Sequence, residues 1–256
     1  MRLTVLGGSA ASPNAGAGCS GYLVEEGETR LWLDPGPGTL QELRRHTDFR
    51  TLGAVLVSHM HVDHVLDLLA LRHALAYNPV PAPGPVPVWL LPRGSAVLAR
   101  AVAPFDECDE PGRFAATVDV DEYDPDRPLE IGELSVTFAR TVHYVPAWAM
   151  RIEARNGASL GYTGDTGPSA NLDNLFREVS VLVAEATLLT ADGRDVGIRG
   201  SLTASEAGAL AQASGADRLV LTHMSEERGF DEALRRAAVH FGGPIERARP
   251  GLSLEW

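Results

Sequence analysis

At 256 residues, 45% hydrophobic and 22% charged, the chain has the composition of an ordinary soluble globular protein and enough material for a large core. A net charge of −12 disfavours non-specific binding to long RNA or an anionic membrane, while a small anionic substrate stays open because divalent cations would reverse the local field. Cys19 and Cys108 are the only cysteines and no C-x-x-C occurs, which excludes a disulfide framework and a Cys-rich zinc site.

In chain order, residues 2–6 alternate like a strand and run into Gly7-Gly8, unlike a signal peptide, and no apolar run is long enough to span a bilayer. A cytoplasmic protein is expected. The Gly- and Ser-rich loop over 7–19 lacks the Gly-Lys-Ser/Thr ending of a phosphate loop and a following helix, so it reads as a rim loop. Strands at about 20–25 and 29–33 form a hairpin, closed by Asp34-Pro35-Gly36-Pro37-Gly38, and a helix starts near Thr39. Residues 54–57 are apolar throughout, as in a strand buried on both faces. That run stops in Ser58-His59-Met60-His61-Val62-Asp63-His64, and a helix follows over about 63–76. The histidines and the aspartate therefore sit in a turn at the C-terminal end of a strand, where α/β sheets bind ligands.

The spacing has a physical meaning. His59 and His61 are two apart, so in an extended segment their imidazoles point to one side and can share a cation. Asp63 and His64 follow where the chain bends, and can face a second cation. Such donors suit zinc, with manganese, iron and cobalt as rivals.

Alternate prolines over 79–87 enforce an extended surface connection. A strand at 88–91 and a helix at about 94–103 come next, then an acidic stretch over 106–128 with a strand at about 114–120. Strands at about 134–141 and 147–154 bracket His143, and Asp165 lies between glycines in Gly164-Asp165-Thr166-Gly167. A buried strand over 179–184 delivers Glu185, an amphipathic helix spans 203–213, and a buried strand over 218–221 delivers His223. A helix at about 231–240 and a short strand finish the chain. Strand ends on one side of a layered sheet can converge, which would gather these scattered residues. No residue period repeats, but both halves alternate strands and helices, as two similar αβ units packed face to face would.

The motif His59-x-His61-x-Asp63-His64, with His143, Asp165 and Leu221-Thr222-His223 in order, resembles the metallo-β-lactamase superfamily over essentially the whole chain. The resemblance implies an α/β, four-layered αββα sandwich as a single domain over 1–256, with two divalent metal ions at one edge. By it, His59, His61 and His143 would hold the first metal, Asp63, His64 and His223 the second, and Asp165 would bridge them. A homodimer is also implied.

The finer likeness is to the ribonuclease Z and cyclic-nucleotide phosphodiesterase branch, carried by Gly7-Gly8-Ser9 with Pro13 and by Ala184-Glu185-Ala186-Thr187, which resembles that branch's H-E-A-T element. Ser201-Leu202-Thr203 resembles its H-S-T element, with Ser201 in place of the histidine that serves the leaving group's proton. Only about twenty residues separate His143 from Asp165, too few for a projecting tRNA-binding arm.

The expected chemistry is hydrolysis of a small, cyclic-nucleotide-like phosphodiester by water activated between two metals. Asp63 would accept or steer the water's proton, and Glu185 would orient a ligand or relay a proton. Arg199 or Arg194 would hold a phosphate oxygen. Tyr144 or Arg199 would assist the leaving group beside Ser201. Two alternatives remain at this point: a lactonase or thioesterase with Val145, Trp148 and Met150 as an acyl slot, and a metal- and ligand-binding protein with little turnover.

Overall fold

The computed structural model describes residues 1–107, 116–191 and 193–256. Its first half contains β1 (Arg2–Gly7), β2 (Gly21–Glu26), β3 (Thr29–Leu33), α1 (Thr39–His46), β4 (Ala54–Leu56), α2 (Val62–Tyr77), β5 (Val86–Leu90), α3 (Gly94–Asp106) and β6 (Val118–Glu122). The second half contains β7 (Leu129–Ile131), β8 (Leu134–Arg140), β9 (Trp148–Ala154), β10 (Ser159–Tyr162), α4 (Ala170–Leu175), β11 (Val181–Glu185), α5 (Ala204–Ser214), β12 (Leu219–Thr222), α6 (Phe230–Ala238), β13 (Ile245–Arg247) and β14 (Ser253–Glu255).

Two seven-stranded sheets result, in the orders β14-β1-β2-β3-β4-β5-β6 and β13-β12-β11-β10-β9-β8-β7. Each half opens with antiparallel strands, β1–β3 or β7–β10, and continues with parallel ones, β3–β6 or β10–β13. The chain is thus a mixed α/β sandwich of two similar units, with helices on the outside and the sheets face to face.

The inner faces of both sheets share one core, in which Leu3, Leu23, Leu31 and Val55 from the first meet Val136, Met150, Ile152 and Val183 from the second. A second cluster lies under α5 and α6, where Ala204, Ala207, Ala211, Ala233 and Ala237 cover Leu182, Ala184 and Leu221. Small residues are needed there: a Cβ on Gly208 would come 2.4 Å from the Ala237 carbonyl oxygen. Strands β4, β11 and β12 are buried at every position, because sheet covers one face and helix the other. This is why they read as unbroken apolar runs.

The parallel strands set the site. The C-terminal ends of β3, β4, β10, β11 and β12 lie at one edge, and two isolated bridges, His59 to Ala147 and Ser9 to Met224, tie the halves together there. Strands β7 and β13 and the short α4 are absent from the sequence reading, since three to six residues carry too little periodicity. Helix α3 runs three residues beyond the expected end, through Pro104 to Asp106. Cys108 and the first residues of the strand expected at 114–120 lie outside the described residues. Among the described residues, no helix is long and apolar enough to cross a membrane.

Cys19 illustrates the packing at this edge. It is fully buried, its N–H donates to the Pro37 carbonyl at 3.1 Å, and burial first, then Asp63 and Asp67, push its thiol up to about 12. The thiolate is the nucleophile, so Cys19 is expected to resist alkylation between about pH 7 and 9 in the folded protein and to react only on unfolding. Thiol titration of a Cys108→Ser variant, with and without denaturant, checks this.

Candidate metal centre

His59 and His61 come from the β4–α2 turn, Asp63 and His64 from the first turn of α2, and His143, Asp165 and His223 from the segments that follow β8, β10 and β12. The first group is His59 Nε2, His61 Nδ1, His143 Nε2 and an oxygen of Asp165. His61 Nδ1 is 3.1 Å from both His59 Nε2 and His143 Nε2, and those two nitrogens are each 3.7 Å from Asp165 Oδ2. The second group is Asp63, His64, His223 and the same Asp165. Asp63 Oδ2 is 3.1 Å from His223 Nε2 and 3.6 Å from His64 Nε2, while Asp165 Oδ1 is 3.5 and 3.3 Å from them. Asp165 therefore turns one oxygen to each group.

These separations suit donors around a cation, since ligands about 2.0–2.1 Å from a tetrahedral zinc lie roughly 3.3 Å apart. His64 Nε2 and Asp165 Oδ1 are also buried without a hydrogen-bond partner. Two orphaned polar atoms aimed at one point call for a ligand between them.

The outer ring nitrogens are held from behind. Ser58 Oγ donates to Asp34 Oδ2 at 2.6 Å, so His59 Nδ1–H donates to Ser58 Oγ at 3.0 Å. His64 Nδ1–H donates to Asp34 Oδ2 at 2.7 Å, and His143 Nδ1–H to the Gly200 carbonyl at 2.6 Å. Thr187 Oγ1 donates to Glu185 Oε2 at 2.5 Å and accepts from His223 Nδ1–H at 2.7 Å. Each arrangement fixes the tautomer that leaves Nε2 bare toward the centre.

Electrostatics point the same way. Burial, then His64, pushes His59 well below the usual imidazole range, and burial lowers His143. Burial opposes charge on His64 and His223 too, but Asp165 and Asp34 outweigh it at His64, Asp165 and Asp63 at His223, and both are raised. Burial would also raise Asp165, yet His223 and His64 hold it well below the carboxylate range. The cluster thus demands positive charge at its middle, which divalent cations supply in place of protons. Burial and the Asp165 charge push Glu185 up to about 8; cations that offset Asp165 favour the ionised form that accepts from Thr187.

Asp34 is the residue that sequence reasoning missed. Fully buried, it accepts from Ser58 N–H at 2.7 Å and from Tyr162 OH at 2.6 Å, besides Ser58 Oγ and His64. Its carboxylate at a strand end was the available signal, but only its turn chemistry was read. Asp34 and His223 hold φ of 47° and 55°, left-handed values uncommon for non-glycine residues, which marks both as positions fixed by their surroundings. The loop after Asp34 needs glycine, since a Cβ on Gly36 would lie 2.1 Å from the Asp63 carbonyl oxygen.

The expected substrate residues fare differently. Arg199 is fully buried: its guanidinium pairs with Glu206, its Nε donates to the Ser201 carbonyl at 3.1 Å, and its Nη1 is buried without a hydrogen-bond partner. Glu206 also closes the capping box with Thr203 that starts α5. Arg199→Ala is expected to destabilise the fold by about 3 kcal/mol, because it strands a half-buried carboxylate; chemical denaturation measures it. Of the residues expected in an acyl slot, Val145 is half-buried at a cleft, while Trp148 and Met150 lie in the core. Both are buried, with Trp148 edge-on to Tyr123. Tyr144 is 60% exposed with its ring 5.1 Å from that of His143, and Gly200 makes room for both rings. Ser201 follows Gly200 at this rim, and Arg194 stands in the exposed loop beyond it.

Two αβ units that bring histidines and aspartates to one sheet edge define a metallo-hydrolase of the metallo-β-lactamase fold. A family profile described as the β-lactamase superfamily domain matches residues 29–224, and the chain belongs to that family. It is 32% identical over 252 residues to the uncharacterized protein Rv1339 of Mycobacterium tuberculosis, covering 96% of this chain and 88% of that one. It is 29% identical over 257 residues to the probable metallo-hydrolase YhfI of Bacillus subtilis, across all of both chains. The ribonuclease Z of Myxococcus xanthus is 29% identical, covering 100% of this chain and 97% of its own. Among solved structures, YhfI superposes with a TM-score of 0.84 at 26% identity over 99% of each chain. A diphosphatase of the PhnP family shares the fold, with a TM-score of 0.77 at 19% identity over 100% of this chain and 97% of that one. The fold implies divalent metal ions, and the donor set here fits them.

Proposed function

We propose that the protein is a cytoplasmic, binuclear phosphodiesterase acting on a small nucleotide-type diester. The observation that carries this reading is Asp165, which faces one oxygen to each donor group. Two divalent cations held there, zinc suiting the donors, would supply an activated water and offset negative charge on the scissile phosphate. His59, His61 and His143 would hold one cation, and Asp63, His64 and His223 the other. Burial opposes the Asp63 charge, but His223 and His64 keep it ionised, so Asp63 takes or steers the proton of the attacking water. Glu185, buried behind Thr187, is a positioning residue that acts through His223. Tyr144 and Ser201 stand at the rim where the leaving group departs.

A small substrate suits the frame. The chain between His143 and Asp165 is spent on β9 and β10, so no arm projects there. Relatives named ribonuclease Z and a fold neighbour named a diphosphatase support phosphate-ester chemistry. The test is hydrolysis of bis-p-nitrophenyl phosphate and of 2′,3′- and 3′,5′-cyclic AMP with zinc, manganese or cobalt. Cleavage by wild type, cut by about 10³-fold in Asp63→Ala, is the expected result. Ser201→His should raise turnover of the cyclic nucleotides, whose leaving group needs a proton. Inert metal-loaded protein that instead opens lactones or thioesters would overturn the reading.

A further inference from the structure

A cleft of about 350 Å³ lies beside the metal centre, within the size range of small-ligand pockets. Its apolar lining includes Met60, Leu91, Pro92, Val97, Val145 and Pro146. Two loops are common to the cleft and the centre. Met60 separates His59 from His61, and because those imidazoles turn to one side of an extended segment, Met60 turns to the other, where a Cβ on Gly94 would lie 3.5 Å from its sulfur. Val145 and Pro146 follow directly on His143 and Tyr144.

Arg93 and Arg100 complete the lining from the first turns of α3. Elsewhere on the surface Arg2 pairs with Glu25, Arg151 with Glu153 and Arg218 with Glu246. Neither the Arg93 nor the Arg100 guanidinium has a partner among the described residues, although the chain carries a net charge of −12. Arg93 also has φ of 71°, left-handed and unusual for a residue with a side chain. Glu122 holds it there, accepting from Arg93 N–H at 2.7 Å and Ser95 N–H at 3.0 Å. Since Glu122 takes up those amides, an anion in the cleft meets the two guanidiniums rather than the helix end. Two exposed guanidiniums without an acid partner, at the lining of an apolar cleft and one of them on a left-handed backbone position, point to an anionic ligand.

We infer, resting on the phosphodiester reading, that this cleft is the subsite for the substrate's nucleoside, with its base on the apolar floor and an additional phosphate of that nucleoside on Arg93 and Arg100. The preferred substrate is then a nucleotide diester carrying a second phosphate, beyond the one that is cleaved.

The metal-loaded full chain is assayed with p-nitrophenyl thymidine 5′-phosphate and with its 3′-phosphorylated counterpart. Both release the same chromophore from the same diester. The 3′-phosphate is expected to lower KM about tenfold, and less as salt is raised. In the double variant Arg93→Gly, Arg100→Ala the two KM values should converge, glycine being suited to the left-handed backbone. Arg235→Ala, on the exposed side of α6, should keep the preference. Equal KM values in wild type, or a preference that survives the double variant, overturn the subsite. If neither ester is cleaved, the phosphodiester reading fails on its own, and titration calorimetry with thymidine 3′,5′-bisphosphate reads the cleft directly. There a Kd raised about tenfold by the double variant supports the subsite, and no binding, or an unchanged Kd, overturns it.

Discussion

On the binuclear phosphodiesterase reading proposed above, Asp165→Asn is expected to reduce diester cleavage by about 10³-fold or more, and to lower tightly bound metal from two equivalents to one or none. The substitution keeps the shape of the side chain and its place between Gly164 and Thr166. What it removes is one of the two oxygens that face His59 and His143 on one side, at 3.7 Å, and His64 and His223 on the other, at 3.3 and 3.5 Å. An amide nitrogen has no lone pair to offer a cation, so one of the two groups loses a donor. The charge lost is also the one that most strongly raises His64 and His223 against their burial. Metal analysis after exhaustive dialysis, read beside turnover of bis-p-nitrophenyl phosphate, separates loss of metal from loss of rate. Two retained equivalents with near wild-type turnover would rule out Asp165 as the bridge.

Asp34→Ala should cost the fold about 3–5 kcal/mol and weaken metal binding by about 10–100-fold, although Asp34 belongs to neither four-donor group around Asp165. Four donors converge on its carboxylate: Ser58 N–H and Oγ, His64 Nδ1 and Tyr162 OH, all within 2.7 Å. Removing the acceptor leaves Ser58 N–H, His64 Nδ1–H and Tyr162 OH buried and unpaired, with Ser58 Oγ keeping only His59, and the cost of such groups exceeds the modest gain of making the bonds. Burial and the Asp34 charge together hold the Tyr162 phenol well above its usual range, so it remains a donor across all practical pH. In a chain of this size the loss corresponds to a melting point lower by roughly 10 °C. Asp34→Asn, which keeps an acceptor oxygen, should fall between alanine and wild type. Thermal unfolding of metal-loaded and chelated protein tests both, and an Asp34→Ala variant melting within about 2 °C of wild type would refute the hub.

The sequence carried the parts of this structure that depend on local pattern. Strands β4, β11 and β12 were legible because both their faces are covered, which leaves no polar interruption in their runs. The donors were legible because each follows such a run directly, at the strand's C-terminal end. Asp34 was not, since its partners lie 24, 30 and 128 positions away and no short window contains them. The burial of Arg199 against Glu206 was not legible either: a short window shows a loop arginine, and the packing around it exists only in the folded chain. Trp148 and Met150 lie close to His143 in the chain, yet the alternation of β9 and its pairing with β8 turn them into the core. Edge strands such as β13 pack against too little to leave a readable period.

The donors are divided between the two αβ units: His59, His61, Asp63 and His64 come from the first, and His143, Asp165 and His223 from the second. Neither unit alone can assemble the centre. The last strand, β14, closes the first sheet beside β1, so that sheet too is complete only when the whole chain is present, and β1–β6 alone would display histidines without the rest of the donor set. The complete donor set therefore exists only where both units are folded and docked, so the centre is a property of the assembled sandwich and of neither half.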